Sequence, residues 1–297
     1  MDLRQLKYFV HVAKLCSFTK AARQLNVAQP SLSRQIRALE EEFGVMLLDR
    51  DTHGVRPTEA GLRLLEMSDY LLRHAEQLRN VVRSPVTEPA GNVVIGLLPS
   101  IAYLVAPNLV ARLRRDYPRI KLRIVEAIGA FLLDWLLLGR IDLAVVTNSQ
   151  RTRGIIETEV AEQEMVLVGR LTDIAGFPDP VPLDDLLDVP LLVTNGFRSV
   201  IEPFAEAAGR RLTFDMELDS LPIIKGMILK GNGMSILPYG CVHQERVESR
   251  MHIRRIADSG MRLRFKLAKT EIKPPSGAAA VVERILAEEI RRIPRGP

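Results

Sequence analysis

Residues 17–58 read SFTKAARQLNVAQPSLSRQIRALEEEFGVMLLDRDTHGVRPT. Thr19 is placed to cap a helix that buries Ala21, Ala22 and Leu25, and the small alanines let a second helix approach closely. Asn26 tolerates the left-handed backbone of a tight turn. Pro30 sits just inside the start of the next helix, Gln29 to Phe43, where a missing N–H costs nothing, and Gly44 ends it. Leu47 to Arg50 and Val55 to Thr58 then flank Asp51-Thr52-His53-Gly54, which reads as a hairpin with glycine at the turn. Two helices, a tight turn and a small basic hairpin are the layout of a winged helix-turn-helix.

The second helix has two faces. Leu32, Ile36 and Leu39 recur at helical spacing and point inward, leaving Gln29, Ser31, Ser33, Arg34 and Arg37 near the exposed start. In a DNA major groove glutamine pairs with adenine and arginine with guanine, while short hydroxyls and helix-start N–H groups meet phosphate. Arg50 and Arg56 on the hairpin would reach phosphates or the narrow minor groove. A merely solvated face would carry similar residues. The helix pair, turn and wing together point to double-stranded DNA.

Outward from this stretch, Leu3, Leu6, Phe9, Val10 and Ala13 form the apolar stripe of an amphipathic first helix. Thr58 and Glu59 open a long helical run to about Arg83, in which Leu64, Met67, Leu71, Leu78 and Val81 trace a heptad seam with His74 at the remaining seam position. That much apolar surface predicts a homodimer. Ser84-Pro85 to Pro89-Ala90-Gly91 reads as a domain boundary.

Beyond it the pattern becomes α/β. Strand-like runs at Val93 to Leu97, Lys121 to Val125 and Asp142 to Val146 alternate with helical patterns at Ile101 to Asp116 and Ala130 to Leu138, which predicts a parallel sheet. A second set follows: strands at Glu164 to Val168, Pro190 to Thr194, Thr213 to Leu218, Met234 to Leu237 and Arg264 to Ala268, and helices at Arg198 to Ala208, Leu221 to Lys230 and Gly277 to Arg292. Ligands of such sheets bind beyond the carboxyl ends of the strands. The tips are Leu98-Pro99-Ser100, Ala127-Ile128-Gly129, Thr147-Asn148 and Thr194-Asn195-Gly196. Ser100, Thr194 and Asn195 offer donors for a carboxylate and Arg198 a charge, while Ile128, Phe131 and Phe197 form an apolar wall suited to a ring.

Composition bounds the rest. A formal charge of +5 permits an acidic partner without demanding one. Cys16 and Cys241 are far apart and make no CxxC, against a disulfide framework or a structural zinc site. No export signal or membrane-length apolar run is evident, so a cytoplasmic location with no membrane partner is expected. The histidines show no HExxH spacing and no GxSxG elbow occurs. Gly231 to Pro238 lacks the Lys-Ser or Lys-Thr of a phosphate loop. No catalytic residue, metal or cofactor is expected, and a solute-binding protein or small-molecule enzyme with an incidental helical domain is the alternative reading.

The residues LKYFVHVAKLCSFTKAARQLNVAQPSLSRQIRALEEEFGVMLLDR, followed by GVRPTEAG, resemble the amino-terminal signature of LysR-type transcriptional regulators. The elements AA..L, QPS.S.QI..LE and T.AG occur in order. The resemblance implies DNA contacts at Gln29, Pro30, Ser33, Arg34, Arg50 and Arg56. It implies dimerisation through the long helix, a homotetramer, an interrupted palindromic site and contact with RNA polymerase. The fold it implies is mixed: an all-α winged helix-turn-helix over 1–58, a linker helix and hinge over 59–91, and an α/β periplasmic-binding-protein-like effector domain over 92–297. That domain would have one lobe at about 92–161 and 267–297 and the other at about 162–266, joined by crossings near Val160 to Glu164 and Phe265 to Lys269. By the same similarity, positions such as Ser100, Thr147, Thr194 and Phe197 line a cleft for a small-molecule effector, and Gly231 to Pro238 closes its far side.

Overall fold

The computed structural model describes residues 1–51, 54–83, 89–148, 151–257, 260–271 and 277–297, with only the backbone of 51, 69–70, 73–74 and 76–83. The chain divides into two compact units, Met1–Pro85 and Val86–Pro297.

In the first unit, α1 (Leu3–Leu15) starts at Asp2. Its carboxylate accepts the Gln5 N–H at 2.7 Å, while the Gln5 side chain accepts the Asp2 N–H at 2.9 Å, a reciprocal capping box. The cap of α2 (Phe18–Leu25) is Ser17, whose Oγ accepts the Lys20 N–H at 3.3 Å, and not Thr19. Phe18, 9% exposed, belongs to the core, so the helix has already begun when the chain reaches Thr19. Asn26 (φ 54°) ends α2 and Gly44 (φ 67°) ends α3 (Gln29–Phe43), both in the left-handed conformation expected of them. Leu32, Ile36 and Leu39 are fully buried, each contributing about 1.5–3 kcal/mol of transfer free energy.

The wing pairs β1 (Leu48–Asp51) with β2 (Gly54–Pro57) antiparallel, Asp49 opposite Arg56. Thr52 and His53 of the expected turn lie outside the described residues. The start of α4 (Glu59–Arg83) is tied to the wing: Thr58 Oγ1 donates to the Met46 carbonyl at 2.8 Å and accepts the Gly61 N–H at 3.0 Å. Position 61 admits only glycine, because a Cβ there would lie 2.0 Å from the Leu47 carbonyl oxygen. Along α4, Ala60, Leu64, Leu65 and Leu72 pack on the unit's core. The expected seam therefore divides. Leu64 turns inward, whereas Met67 and Leu71 remain 47% and 40% exposed beside Leu62. The side chains of His74, Leu78 and Val81 lie outside the described residues.

The second unit runs β3 (Gly91–Leu97), α5 (Pro99–Asp116), β4 (Ile120–Glu126), α6 (Gly129–Leu137), β5 (Leu143–Thr147), β6 (Ile155–Gly169), α7 (Leu171–Ile174), β7 (Leu191–Val193), α8 (Asn195–Ala207), β8 (Phe214–Glu217), α9 (Leu221–Leu229), β9 (Met234–Pro238), α10 (Tyr239–Val247), β10 (His252–Arg255), β11 (Arg262–Thr270) and α11 (Gly277–Arg292). Among the described residues these strands form one sheet in the order β4-β3-β5-β11-β6-β9-β7-β8, with β10 also on β6. The pairs β3–β4, β3–β5, β7–β8 and β7–β9 are parallel, as the βαβ pattern requires. Between the two parallel sets run β6 and β11, antiparallel to one another. Their register shifts between Phe265 and Lys266, which face Ala161 and Glu159. Beyond that point, Met165 to Val168 of β6 pair with β9.

Both long strands exceed the runs expected from sequence. Glutamates 157, 159, 162 and 164 interrupt the apolar pattern of β6. Two of them are answered across the pair, Glu157 by Lys266 at 3.0 Å and Glu162 by Arg262 at 2.6 Å. A charge ladder of this kind suits one face of an antiparallel pair but has no strand-like signature. At the other side of the unit, Arg112 of α5 donates to Glu289 and, at 2.6 Å, to Glu288, which fastens α11 to α5.

Candidate functional site

The first unit presents the start of α3. Gln29, Pro30, Arg34 and Arg37 are exposed, Ser31 and Ser33 half-buried. No side chain caps this helix, because its N-cap is Ala28, so the positive end of the helix is open to an anion. Of the wing arginines, Arg56 stands out into solvent. Arg50 is also exposed but has partners within the unit. Its Nη2 donates to Glu40 Oε2 at 3.3 Å, its Nη1 to Ser33 Oγ at 3.3 Å, and its guanidinium lies 4.9 Å from the centre of the Phe18 ring.

Glu40 was not singled out in the sequence, yet it organises this junction. It is 5% exposed, and its Oε1 accepts the N–H groups of Leu47 and Leu48 at 3.0 and 3.1 Å. The signal was present in the spacing. Glu40 follows Ile36 by four residues, on the buried face where a lone carboxylate must be fully hydrogen-bonded. Arg50 thus ties the wing to α3 through Ser33 and Glu40, while Gln29, Arg34, Arg37 and Arg56 stand exposed.

In the second unit a cavity of about 420 Å³ opens at the carboxyl ends of the parallel strands. It is lined from four strand tips: Leu98, Pro99 and Ser100 after β3; Ile128, Gly129 and Ala130 after β4; Thr147 ending β5; and Thr194 to Phe197 after β7. Ser199, Asp219, Leu221 and Leu263 complete it. The structure therefore brings together Ser100, Ile128, Thr147, Thr194, Asn195 and Phe197. Neither Phe131 nor Arg198 is among the lining residues. Arg198 donates to both oxygens of Glu202 at 3.1 and 3.0 Å and to Glu217 at 3.0 Å, with its guanidinium 5.2 Å from the centre of the Phe214 ring. These carboxylates, Glu202 foremost, raise its pKa. Two anions four and nineteen residues away outcompete the cavity for this cation.

Four helices begin at the cavity: α5, α6, α8 and α9. Thr194 Oγ1 caps α8 by accepting the Phe197 N–H at 3.1 Å. No side chain caps α5, α6 or α9, which leaves the first-turn N–H groups of Ser100, Gly129, Ala130 and Leu221 for other acceptors. Asp219, which no sequence pattern marked, accepts the Asn195 N–H at 3.1 Å. Hydroxyls from Ser100, Thr147, Thr194 and Ser199 line the same space as Leu98, Ile128, Leu221 and Leu263. Polar groups set in an apolar wall are the composition of a small-molecule receptor site.

A winged helix-turn-helix with an open helix start, on a chain whose other unit holds such a cavity, defines a DNA-binding regulator equipped with a small-molecule receptor domain. Comparison with known proteins agrees. Residues 3–62 match the bacterial regulatory helix-turn-helix protein family, lysR type, and residues 87–291 match the LysR substrate binding domain. The chain belongs to the LysR family of transcriptional regulators, and is a regulator rather than an enzyme. It is 31% identical over 296 residues to the nitrogen assimilation regulatory protein nac of Klebsiella aerogenes, covering 98% of this chain and 96% of that protein. It is 31% identical over 250 residues to the hydrogen peroxide-inducible genes activator of Dickeya chrysanthemi, covering 83% of this chain and 82% of that one. A full-length OxyR variant from Pseudomonas aeruginosa shares the fold, with a TM-score of 0.70 at 23% identity, over 99% of this chain and 95% of that chain.

The thiol of the second unit is poorly set for thiolate chemistry. Cys241 is buried, and desolvation pushes its pKa up to about 12, whereas a reactive thiol needs a lowered pKa and access to solvent. Cys16 is exposed but lies in the other unit, on the DNA-reading side of the domain boundary.

Proposed function

We propose that the start of α3 reads the major groove through Gln29, Pro30, Ser31, Arg34 and Arg37, that Arg56 meets the backbone from the wing, and that Ser33 and Arg50 hold the wing in place. The second unit then controls this reader by binding a small carboxylate-bearing effector in the cavity at the strand ends. The observation that carries the reading is the convergence of four strand tips and four helix starts on one cavity. Helix starts attract anions, and the hydroxyls of Ser100, Thr147 and Thr194 supply further donors. Arg198, committed to Glu202 and Glu217, is no part of the binding set.

In this reading the parallel sets on either side of β6 and β11 act as two lobes, divided near the register shift at Phe265 and Lys266. Effector binding would draw the lobes together and change how paired readers lie on an interrupted palindrome. The exposed Leu62, Met67 and Leu71 on α4 support a homodimer, which we take to assemble into a homotetramer. RNA polymerase is the proposed downstream partner and the cytoplasm the proposed location. No helix among the described residues is long and apolar enough to cross a membrane.

Gel retardation on the DNA upstream of the protein's own gene tests the reader. Arg34→Ala is expected to weaken binding roughly 5- to 150-fold at fixed salt and to relax the preference at one base position. Unchanged affinity and sequence preference in this variant would remove α3 from the interface.

A further inference from the structure

The cavity contains an acidic side chain that the reading above leaves unused. Asp219 follows β8, at the far end of the sheet from β3 and β4, and reaches the cavity beside the start of α8. Its Oδ1 accepts the N–H of Asn195, the first residue of that helix. A donor that could have met a ligand anion is thereby taken by a carboxylate of the protein itself. Asp219 is exposed, and its other oxygen has no hydrogen-bond partner among the described residues. None of the described lining residues is Lys, Arg or His.

The cavity therefore has two chemically opposite ends. At one, Ser100, Gly129 and Ala130 lie in the uncapped first turns of α5 and α6, with the Thr147 hydroxyl nearby in the lining, a donor-rich environment for a carboxylate. At the other, beside the start of α9, Asp219 offers a charged acceptor, the one carboxylate among the described lining residues. A simple carboxylic acid would enter a cavity whose single charged side chain has its own sign. A simple amine would meet Asp219 and leave the donors of α5 and α6 unmatched. A molecule bearing both groups satisfies both ends at once, and charge-assisted hydrogen bonds are stronger than neutral ones.

We infer that the effector is zwitterionic: an amino acid or a similar amine-bearing carboxylic acid. Its carboxylate lies on the starts of α5 and α6, its ammonium on Asp219, and its apolar part against Leu98, Ile128, Leu221 and Leu263. This rests on the cavity being the effector site.

Thermal shift followed by calorimetry on the full chain tests it, using the standard L-amino acids and, for each, the des-amino acid and the decarboxylated amine. At least one amino acid is expected to raise the melting temperature and to bind roughly ten- to a hundredfold more tightly than either truncated partner. Asp219→Asn keeps an oxygen for the Asn195 N–H, so the start of α8 is preserved, and the melting of the free variant checks this. In that variant the amino acid should fall to the affinity of its des-amino partner. The inference is overturned if no amino acid binds, if the des-amino acid binds equally well, or if Asp219→Asn retains the preference. A des-amino acid whose binding is lost in Ser100→Ala and Thr147→Val would overturn the zwitterion while leaving the cavity as effector site. An acid whose binding ignores those two substitutions would remove the cavity reading as well.

Discussion

Glu40→Ala is expected to abolish DNA binding without touching the reading residues. The wild-type carboxylate is buried and holds two backbone N–H groups of the wing and the guanidinium of Arg50. Alanine leaves those N–H groups without an acceptor in the protein interior and frees Arg50 from its only ion-pair partner among the described residues. Each unsatisfied buried group costs about 1–3 kcal/mol, so a total of about 3 kcal/mol is a modest sum. In a domain of this size that lowers the melting temperature by roughly 12–24 °C. Arg50 would swing from the Phe18 ring, and the wing would no longer be held on α3 through Ser33. Glu40→Gln keeps an oxygen for the two N–H groups and should lose less stability while still loosening Arg50. Circular dichroism melts with gel retardation at a temperature where the wild type is folded provide the readout. Wild-type melting and DNA affinity in Glu40→Ala would mean that the wing is held by other contacts.

The second large effect is expected at a contact that belongs neither to the wing nor to the cavity lining. Arg112 on α5 meets Glu288 and Glu289 on α11, and the Glu289 side chain is only 1% exposed. Removing one partner of a buried pair costs more than the pair contributes, because a charge is left in a poorly solvated place. Arg292 remains 2.8 Å from Glu289 and limits the damage. We expect Arg112→Met to destabilise the second unit by about 2–3 kcal/mol, a melting-temperature loss of roughly 5–10 °C for a unit of this size. The loss should depend on pH with a defined sign. Hydrogen bonds from Arg112, first among several causes, hold the Glu288 carboxyl below its ordinary value of 4.5. Its contribution is therefore complete above the unfolded-state pKa and disappears as pH falls through the lowered folded value. The gap between wild type and Arg112→Met should be full at pH 7 and close as pH falls through the lowered Glu288 value. A gap that widens in acid would show that the interaction does not work through these carboxylates.

The DNA-reading unit was largely legible because its signals are local. Asn26 and Gly44 mark left-handed helix ends, Pro30 a helix start, and the spacing of Leu32, Ile36 and Leu39 one buried face. Thr19 misled because Ser17, two residues earlier, is an equally good cap, and the burial of Phe18 decided between them. In the second unit the parallel strands are apolar enough to read directly, whereas the first half of β6 carries glutamates whose partners lie on β11, about a hundred residues away. The strand-tip rule located nine of the fifteen cavity residues. Arg198 failed for the opposite reason to Asp219: sequence shows a charge but not its partners. Glu202 and Glu217 take the arginine away, while a fold-dependent approach to Asn195 brings the aspartate in.

The coupling of the cavity to the reader is tested most directly by footprinting the full chain on its own upstream DNA, with and without a compound that stabilises the wild type but not Ser100→Ala. Saturating compound is expected to change the protected stretch or the bend of the DNA in the wild type and to leave the Ser100→Ala footprint as it was. A compound that fills the cavity yet leaves the wild-type footprint, affinity and transcription unchanged would contradict control of the reader by the cavity.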